Sequence, residues 1–206
     1  MSYLQHHGVK GQKWGVRRYQ NEDGTRTAEG KERRRQERVF ISGTSKMQSM
    51  EEGYYREKLA SSVTDYLDEL MSKKARILIG DCVGADTMVQ KYLVENGYNN
   101  VHIYVSGDEV RNNADSTGSL GWKIHNIDSS MYEVGSKDWH ATKDKAMDKR
   151  ATSGMGIILD EGAKATRKNI DRFIDSGRDV SIFELSKNGD SYDRWLSKDE
   201  YERSRK

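Results

Sequence analysis

The sequence predicts an α/β protein, a Rossmann-like three-layer sandwich built on a mainly parallel sheet of five strands. Three observations predict it. Short apolar runs alternate with amphipathic stretches between residues 38 and 185, as in a parallel sheet covered on both faces. The runs stop abruptly at glycines or polar loops. Proline is absent, where ordinary usage would give about ten, so the turns must rest on Gly, Asn, Asp and Ser.

The elements follow in order. "RVFISG", 38–43, is an apolar run closed by Gly43 and reads as a buried strand. Residues 51–72 read as a helix, because Tyr55, Leu59, Val63, Tyr66, Leu67 and Leu70 recur at helical steps. "RILIG", 76–80, is the second strand, and "ADTMVQKYLVENG" a helix capped by Gly97. "NVHIYVS", 100–106, is the third strand. Residues 107–140 have no sustained period, and Trp122, Ile124, Ile127 and Trp139 favour a packed excursion there. Residues 142–151 look helical, "GMGIILD", 154–160, is the fourth strand, "AKATRKNIDRFIDSG" a helix and "DVSIFEL", 179–185, the fifth strand. Right-handed crossovers suggest the order 3-2-1-4-5.

Three segments result: a basic arm over 1–37, the α/β domain over 38–185, and a polar tail over 186–206. The apolar share, 34%, is small but clustered, so a core is still possible. The formal charge is only +2, yet "KGQKWGVRR" and "KERRRQER" concentrate cations in the arm. Such an arm either binds nucleic acid or keeps a tail soluble, and composition alone favours the second. Trp14 there either stacks on a base or docks on protein. Cys82 is the sole cysteine, which excludes an internal disulfide and fits a reducing compartment. The start, "MSYLQHHGVKGQKW", does not resemble a signal peptide, and no run nears the ~18 apolar residues of a membrane span. A soluble cytoplasmic protein without membrane partners is expected. His6 and His7, lacking further ligands, make no metal site, and no cofactor motif is read.

In such sheets ligands bind at the carboxyl ends of the strands, near the switch in strand order. Three loops converge there. "SGTS", 42–45, offers Gly43 for close approach and the hydroxyls of Ser42, Thr44 and Ser45, although alone it reads as an ordinary turn. "GDCVGAD", 80–86, places Gly84 at a helix start, whose amides favour an anion. Asp86 reads as a helix cap; Asp81 would repel a phosphate and is expected to face a ribose or base. No lysine stands at a P-loop position, which argues against triphosphate hydrolysis of that kind. "LDEGAKATRKNI", 159–170, supplies Gly162, Thr166 and the cations Lys164, Arg167 and Lys168 at a position usually rich in acids. These cations either meet an anion or only cover the surface. Arg111 and Asn112 are expected to reach in from the loop after the third strand.

The runs "RVFISGT", "ILIGDCVGADTMVQKYL", "NVHIYVSGDEVRNN", "KDKAMDKRATSGMGIILDEG" and "KATRKNI" together resemble the SLOG superfamily of Rossmann-like nucleotide-binding domains. That group includes cytokinin-activating phosphoribohydrolases, DNA-uptake proteins and nucleotide sensors of bacterial conflict systems. The resemblance implies a nucleotide-derived ligand held by Gly43, Thr44, Asp81, Gly84, Arg111, Asn112, Gly162, Lys164, Thr166 and Asn169, and often an oligomer. The phosphoribohydrolases carry PGGxGTxxE with a catalytic glutamate. Here "EGAKATRKN" keeps Thr166, replaces a glycine by Ala165, and has Asn169 in place of the glutamate. An amide cannot be a general base, so binding is expected rather than glycosidic cleavage. The arm, "LQHHGVKGQKWGVRRYQNEDGTRTAEGKERR", resembles a segment of tailed-phage proteins, which implies a phage source and association with the phage head. Together these imply a phage binder that sequesters a host immune messenger. The alternatives are a nucleotide-processing enzyme using Asp81, Glu109 or Asp160, and a virion-associated nucleic-acid-binding protein.

Overall fold

A computed structural model describes residues 19–21, 23, 25–48, 58–159, 162–186 and 193–204. The chain divides into two compact units, Met1–Gln36 and Glu37–Lys206. In the first, a bridge joins Gln20 to Arg26, and helix α1 (Ala28–Arg35) starts at Thr27, whose hydroxyl accepts from the Gly30 amide at 3.1 Å. His6, His7 and Trp14 lie outside the described residues.

The second unit is an α/β fold on one sheet. Its strands are β1 (Arg38–Gly43), β2 (Arg76–Gly80), β3 (Val101–Ser106), β4 (Lys123–Ile127), β5 (Ser153–Leu159), β6 (Val180–Leu185) and β7 (Arg194–Leu196). The sheet order is β4-β3-β2-β1-β5-β6-β7. Six strands run parallel and β7 pairs antiparallel to β6. The five expected strands are all present in the expected order, as β3-β2-β1-β5-β6. The count of five is corrected to seven. β4 lies inside the stretch read as irregular, and β7 lies in the supposed polar tail.

Alternation along the strands sorts side chains between the faces. Val39, Ile41, Ile77, Ile79, Ile103 and Val105 form one core with Val63, Leu67 and Leu70 of helix α2 (Ser61–Ser72) and Val89 and Leu93 of helix α3 (Ala85–Glu95). On the other face Phe40, Leu78 and Tyr104 meet Met147 of helix α4 (Lys137–Asp148) and Phe173 of helix α5 (Lys164–Asp175). Glycines let α5 sit close. A Cβ on Gly154 would come 2.7 Å from the Phe173 ring, and one on Gly156 would strike Ile170.

Three boundaries differ from expectation. α2 begins at Ser61; residues 58–60 are not helical, and 51–57, with Tyr55, lie outside the described residues. α4 runs over 137–148 rather than 142–151 because the Ser136 hydroxyl caps it, accepting from the Trp139 amide at 3.2 Å. The tail is not merely polar. After β7, helix α6 (Lys198–Ser204) is started by a reciprocal Ser197–Glu200 capping pair, and its Tyr201 is buried with Ile158, Ile170 and Ile182.

The excursion after β3 is packed at Trp122 and Trp139, as expected, whereas Ile124, also expected inside, is exposed. Buried Asp115 accepts from the amides of Leu120 and Trp122 at 3.2 and 3.3 Å, and Trp122 Nε1 donates to the Tyr98 carbonyl at 2.7 Å. Gln90, wholly buried, ties this loop to the sheet. Its Nε2 donates to the Gly80 carbonyl at 2.8 Å, while its Oε1 accepts from the Ala114 amide at 3.0 Å.

Candidate functional site

The chain steps from β1 to β2 and β3 on one side and then crosses to β5 and β6 on the other side of β1, all parallel, so the switch in strand order falls at the carboxyl end of β1. A buried polar cluster has formed beside it. Asp81, 0% exposed, receives two side-chain hydrogen bonds and one backbone bond from Arg111: Nη2 to Oδ1 at 2.6 Å, Nε to Oδ2 at 2.9 Å, and the amide to Oδ2 at 3.2 Å. Burial works to raise the Asp81 pKa. The Arg111 hydrogen bonds and the charges of Lys143 and Arg111 outweigh it and hold the carboxyl below the usual aspartate range. The Arg111 side chain is 38% exposed, its guanidinium lies 5.7 Å from the Trp139 ring centroid, and Nη1 is 3.5 Å from His140 Nδ1.

Lys143 on α4 is the least expected member. Its side chain is 4% exposed, and its one hydrogen bond is a long one of 3.4 Å to Asp144 Oδ1. The ammonium lies over the end of β2, where Gly80 makes room. A Cβ on Gly80 would come within 2.6 Å of Asp86 Oδ2 and closer still to Lys143 Nζ. Burial lowers the Lys143 pKa, but Asp144, Cys82, Asp86 and Asp81 together raise it above that of an ordinary lysine. Asp86 is pushed up to about 7, because burial outweighs the opposing charge of Lys143. A carboxyl poised near neutrality beside a buried ammonium can hold or release a proton at physiological pH. Burial also raises the Cys82 thiol, so it is not an activated nucleophile.

Asn169 is buried and fully engaged. Its Nδ2 donates to Ser42 Oγ at 2.9 Å and to Asp144 Oδ2 at 3.0 Å, and its Oδ1 accepts from Arg172 Nη1 at 2.6 Å. It links β1, α4 and α5 through an amide. Asn112 Nδ2 donates to Thr87 Oγ1 at 2.6 Å, which pins the loop after β3 to α3.

Several expected ligand residues serve the packing. Gly43 lets α3 close on β1, since a Cβ there would collide with Ala85. Thr44 is buried; its carbonyl accepts from the Ala85 amide at 3.0 Å and its own amide donates to the Ile157 carbonyl at 2.9 Å. Gly84 has φ +85° and sits where a Cβ would lie 2.5 Å from the carbonyl oxygens of Thr44 and Ser45. Asp86 reaches back to accept from the Cys82 amide at 3.2 Å rather than capping α3. Thr166 is buried beside Gly156. Gly162 and Lys164 are exposed, and Arg167 turns away to the Gly162 and Leu159 carbonyls and the Tyr201 ring. Asp81, Arg111 and Asn169 thus join one cluster, and Gly162 and Lys164 lie at the surface. Lys143 and Asp144 fall on the helix read over 142–151 but carry no site signal in the sequence, and His140 joins that helix only through the cap at Ser136.

A model described as a family of unknown function, DUF7211, matches residues 1–21 of the chain. The match falls on the arm segment "LQHHGVKGQKWGVRR" and leaves the α/β unit unassigned. No curated protein matches the sequence. Among the described residues no helix is long and apolar enough to cross a membrane, and no group of three or more His, Cys, Asp or Glu is placed to hold a metal ion.

Proposed function

We propose that the α/β unit binds a nucleotide-derived small molecule, a phosphate joined to a ribose, at the carboxyl edge of its sheet. The observation that carries this reading is the cluster of Asp81, Asp86, Arg111, Lys143 and Asp144 at the switch in strand order. Buried charge of this density is costly. Buried groups with shifted pKa values concentrate at ligand and catalytic sites. Arg111, partly exposed at the rim, is the cation best placed to meet a phosphate, and Asp81 behind it fixes its guanidinium. Asn169 supplies no base at the position of the phosphoribohydrolase glutamate. The ligand is therefore held intact, which suits sequestration of a host immune messenger by a phage protein.

One observation favours a second reading. Asp86, with its pKa near neutrality, has the proton affinity of a general acid or base, and the unit would then process a nucleotide. Mass spectrometry of small molecules released from the purified, denatured protein tests both readings. Calorimetry with ADP-ribose and AMP then measures binding, and chromatography of each after incubation shows whether it is intact. Saturable binding with intact recovery supports the binder. Altered product that disappears in Asp86→Asn supports the enzyme. No released nucleotide and no heat with either probe would reject the site.

A further inference from the structure

The opposite edge of the same sheet carries a second feature. A cavity of about 440 Å³ opens there, lined by Arg38, Arg76, Leu78, His102, Tyr104, Lys149 and Arg150. None of these seven is acidic and four are permanent cations. Arg38 and Arg76 are register partners at the starts of β1 and β2. Lys149 and Arg150 close the end of α4 above them.

The cavity walls are held in place. Arg150 Nη1 donates to the Tyr104 hydroxyl at 3.0 Å, and its guanidinium lies 5.7 Å from that ring's centroid. The Arg150 carbonyl accepts from Arg38 Nε at 2.5 Å. His102 Nδ1 is 2.9 Å from His125 Nε2, and the His125 ring stacks on Tyr104 with centroids 4.6 Å apart. The leading charge effects on His102, from Arg76, His125, Lys123 and Arg150, all disfavour its protonation, and with burial foremost they bring its pKa down to about 3.

We propose that this cavity is a binding site for a small anion carrying a chain of two or more phosphate groups, distinct from the carboxyl-edge cluster. Four cationic side chains line one concave space, and two of them, Lys149 and Arg150, are exposed. Arginine forks suit phosphate oxygens bidentately. Neutral imidazole adds a hydrogen-bonding group without repelling the anion. The pattern is legible as cations at strand starts and a helix end, where a buried core would place apolar residues.

Titration of the full-length protein with inorganic tripolyphosphate, followed by NMR of the His102 and His125 rings, tests it. Saturable movement of both rings is expected, with the His102 pKa rising by at least one unit, and no comparable movement with sodium chloride at matched ionic strength. In calorimetry the Lys149→Gln/Arg150→Gln double variant should weaken tripolyphosphate binding at least tenfold, and Arg150→Lys should recover part of the loss. ATP in a parallel arm separates two sources of the same chemistry. Equal affinity means that the phosphate chain alone is read, and tighter ATP binding means that a nucleoside is held as well. Absence of saturable ring shifts in the wild-type protein overturns the proposal, whether or not the variants fold. So does unchanged affinity in a folded double variant, or binding confined to duplex DNA.

Discussion

The two edges of the sheet solve the problem of buried charge in different ways. At the carboxyl edge, acids and bases alternate within a few ångströms: Arg111 embraces Asp81, and Lys143 sits among Asp144, Asp86 and Asp81. At the amino edge the lining charges share one sign and open onto a cavity. The first arrangement is mutually compensating, so removing one partner strands the other. In the second no lining residue is acidic, so neutralising the exposed Lys149 strands no opposite charge among them. A polar residue is therefore structural or dispensable according to what surrounds it.

That comparison can be broken most sharply at Arg111. Arg111→Ala leaves Asp81 wholly buried without its forked partner and should cost about 3 kcal/mol, the low end for a broken buried pair because Arg111 is 38% exposed. Urea denaturation measures it, and a loss under about 1 kcal/mol would mean that water replaces the guanidinium at little cost.

Gly84→Ala comes next, at about 2 kcal/mol, from a positive φ and a Cβ pressed on two carbonyl oxygens. Urea denaturation reads this too, and because the strain lies in the fold, a larger side chain at this position reports on folding rather than on ligand approach.

The edges should also differ in the sign of their pH response. Asp86 releases its proton near pH 3.9 when unfolded but at about 7 when folded. Between these values the native state keeps a proton the unfolded state has lost, so its contribution to stability falls as pH rises, by up to about 1.4 kcal/mol per unit. Asp86→Asn should gain on wild type as pH rises from 4 to 7. His102 stays neutral down to about pH 3 when folded, whereas the unfolded ring protonates below about 6.5. Its contribution is lost as pH falls below 6.5, so His102→Gln should gain on wild type as pH falls from 6.5 to 4. Denaturation at several pH values reads both, and slopes of the same sign would refute the contrast.

The smallest effect is expected at Lys149. It is exposed and has no recorded side-chain partner among the described residues, so Lys149→Gln should change thermal stability by less than about 0.5 kcal/mol. A marked loss, read by thermal denaturation, would show that Lys149 has a structural role.

The sequence alone determined the α/β alternation, five strands with their order, and the carboxyl edge as the place where Asp81, Arg111 and Asn169 gather. Those features are written locally, in apolar runs of strand length and in glycines at their ends. β7 and α6 were hidden because a three-residue edge strand and a helix with one buried tyrosine carry little apolar signal. Only the tertiary structure decided what Gly43 and Gly84 are for, since close approach to a helix and close approach to a ligand call for the same residue. It alone brought Lys143 over Gly80, and Arg38, Arg76 and Arg150 around one cavity. Charges distant in sequence acquire their meaning from the dielectric and the neighbours that folding assigns them, and no local pattern encodes either.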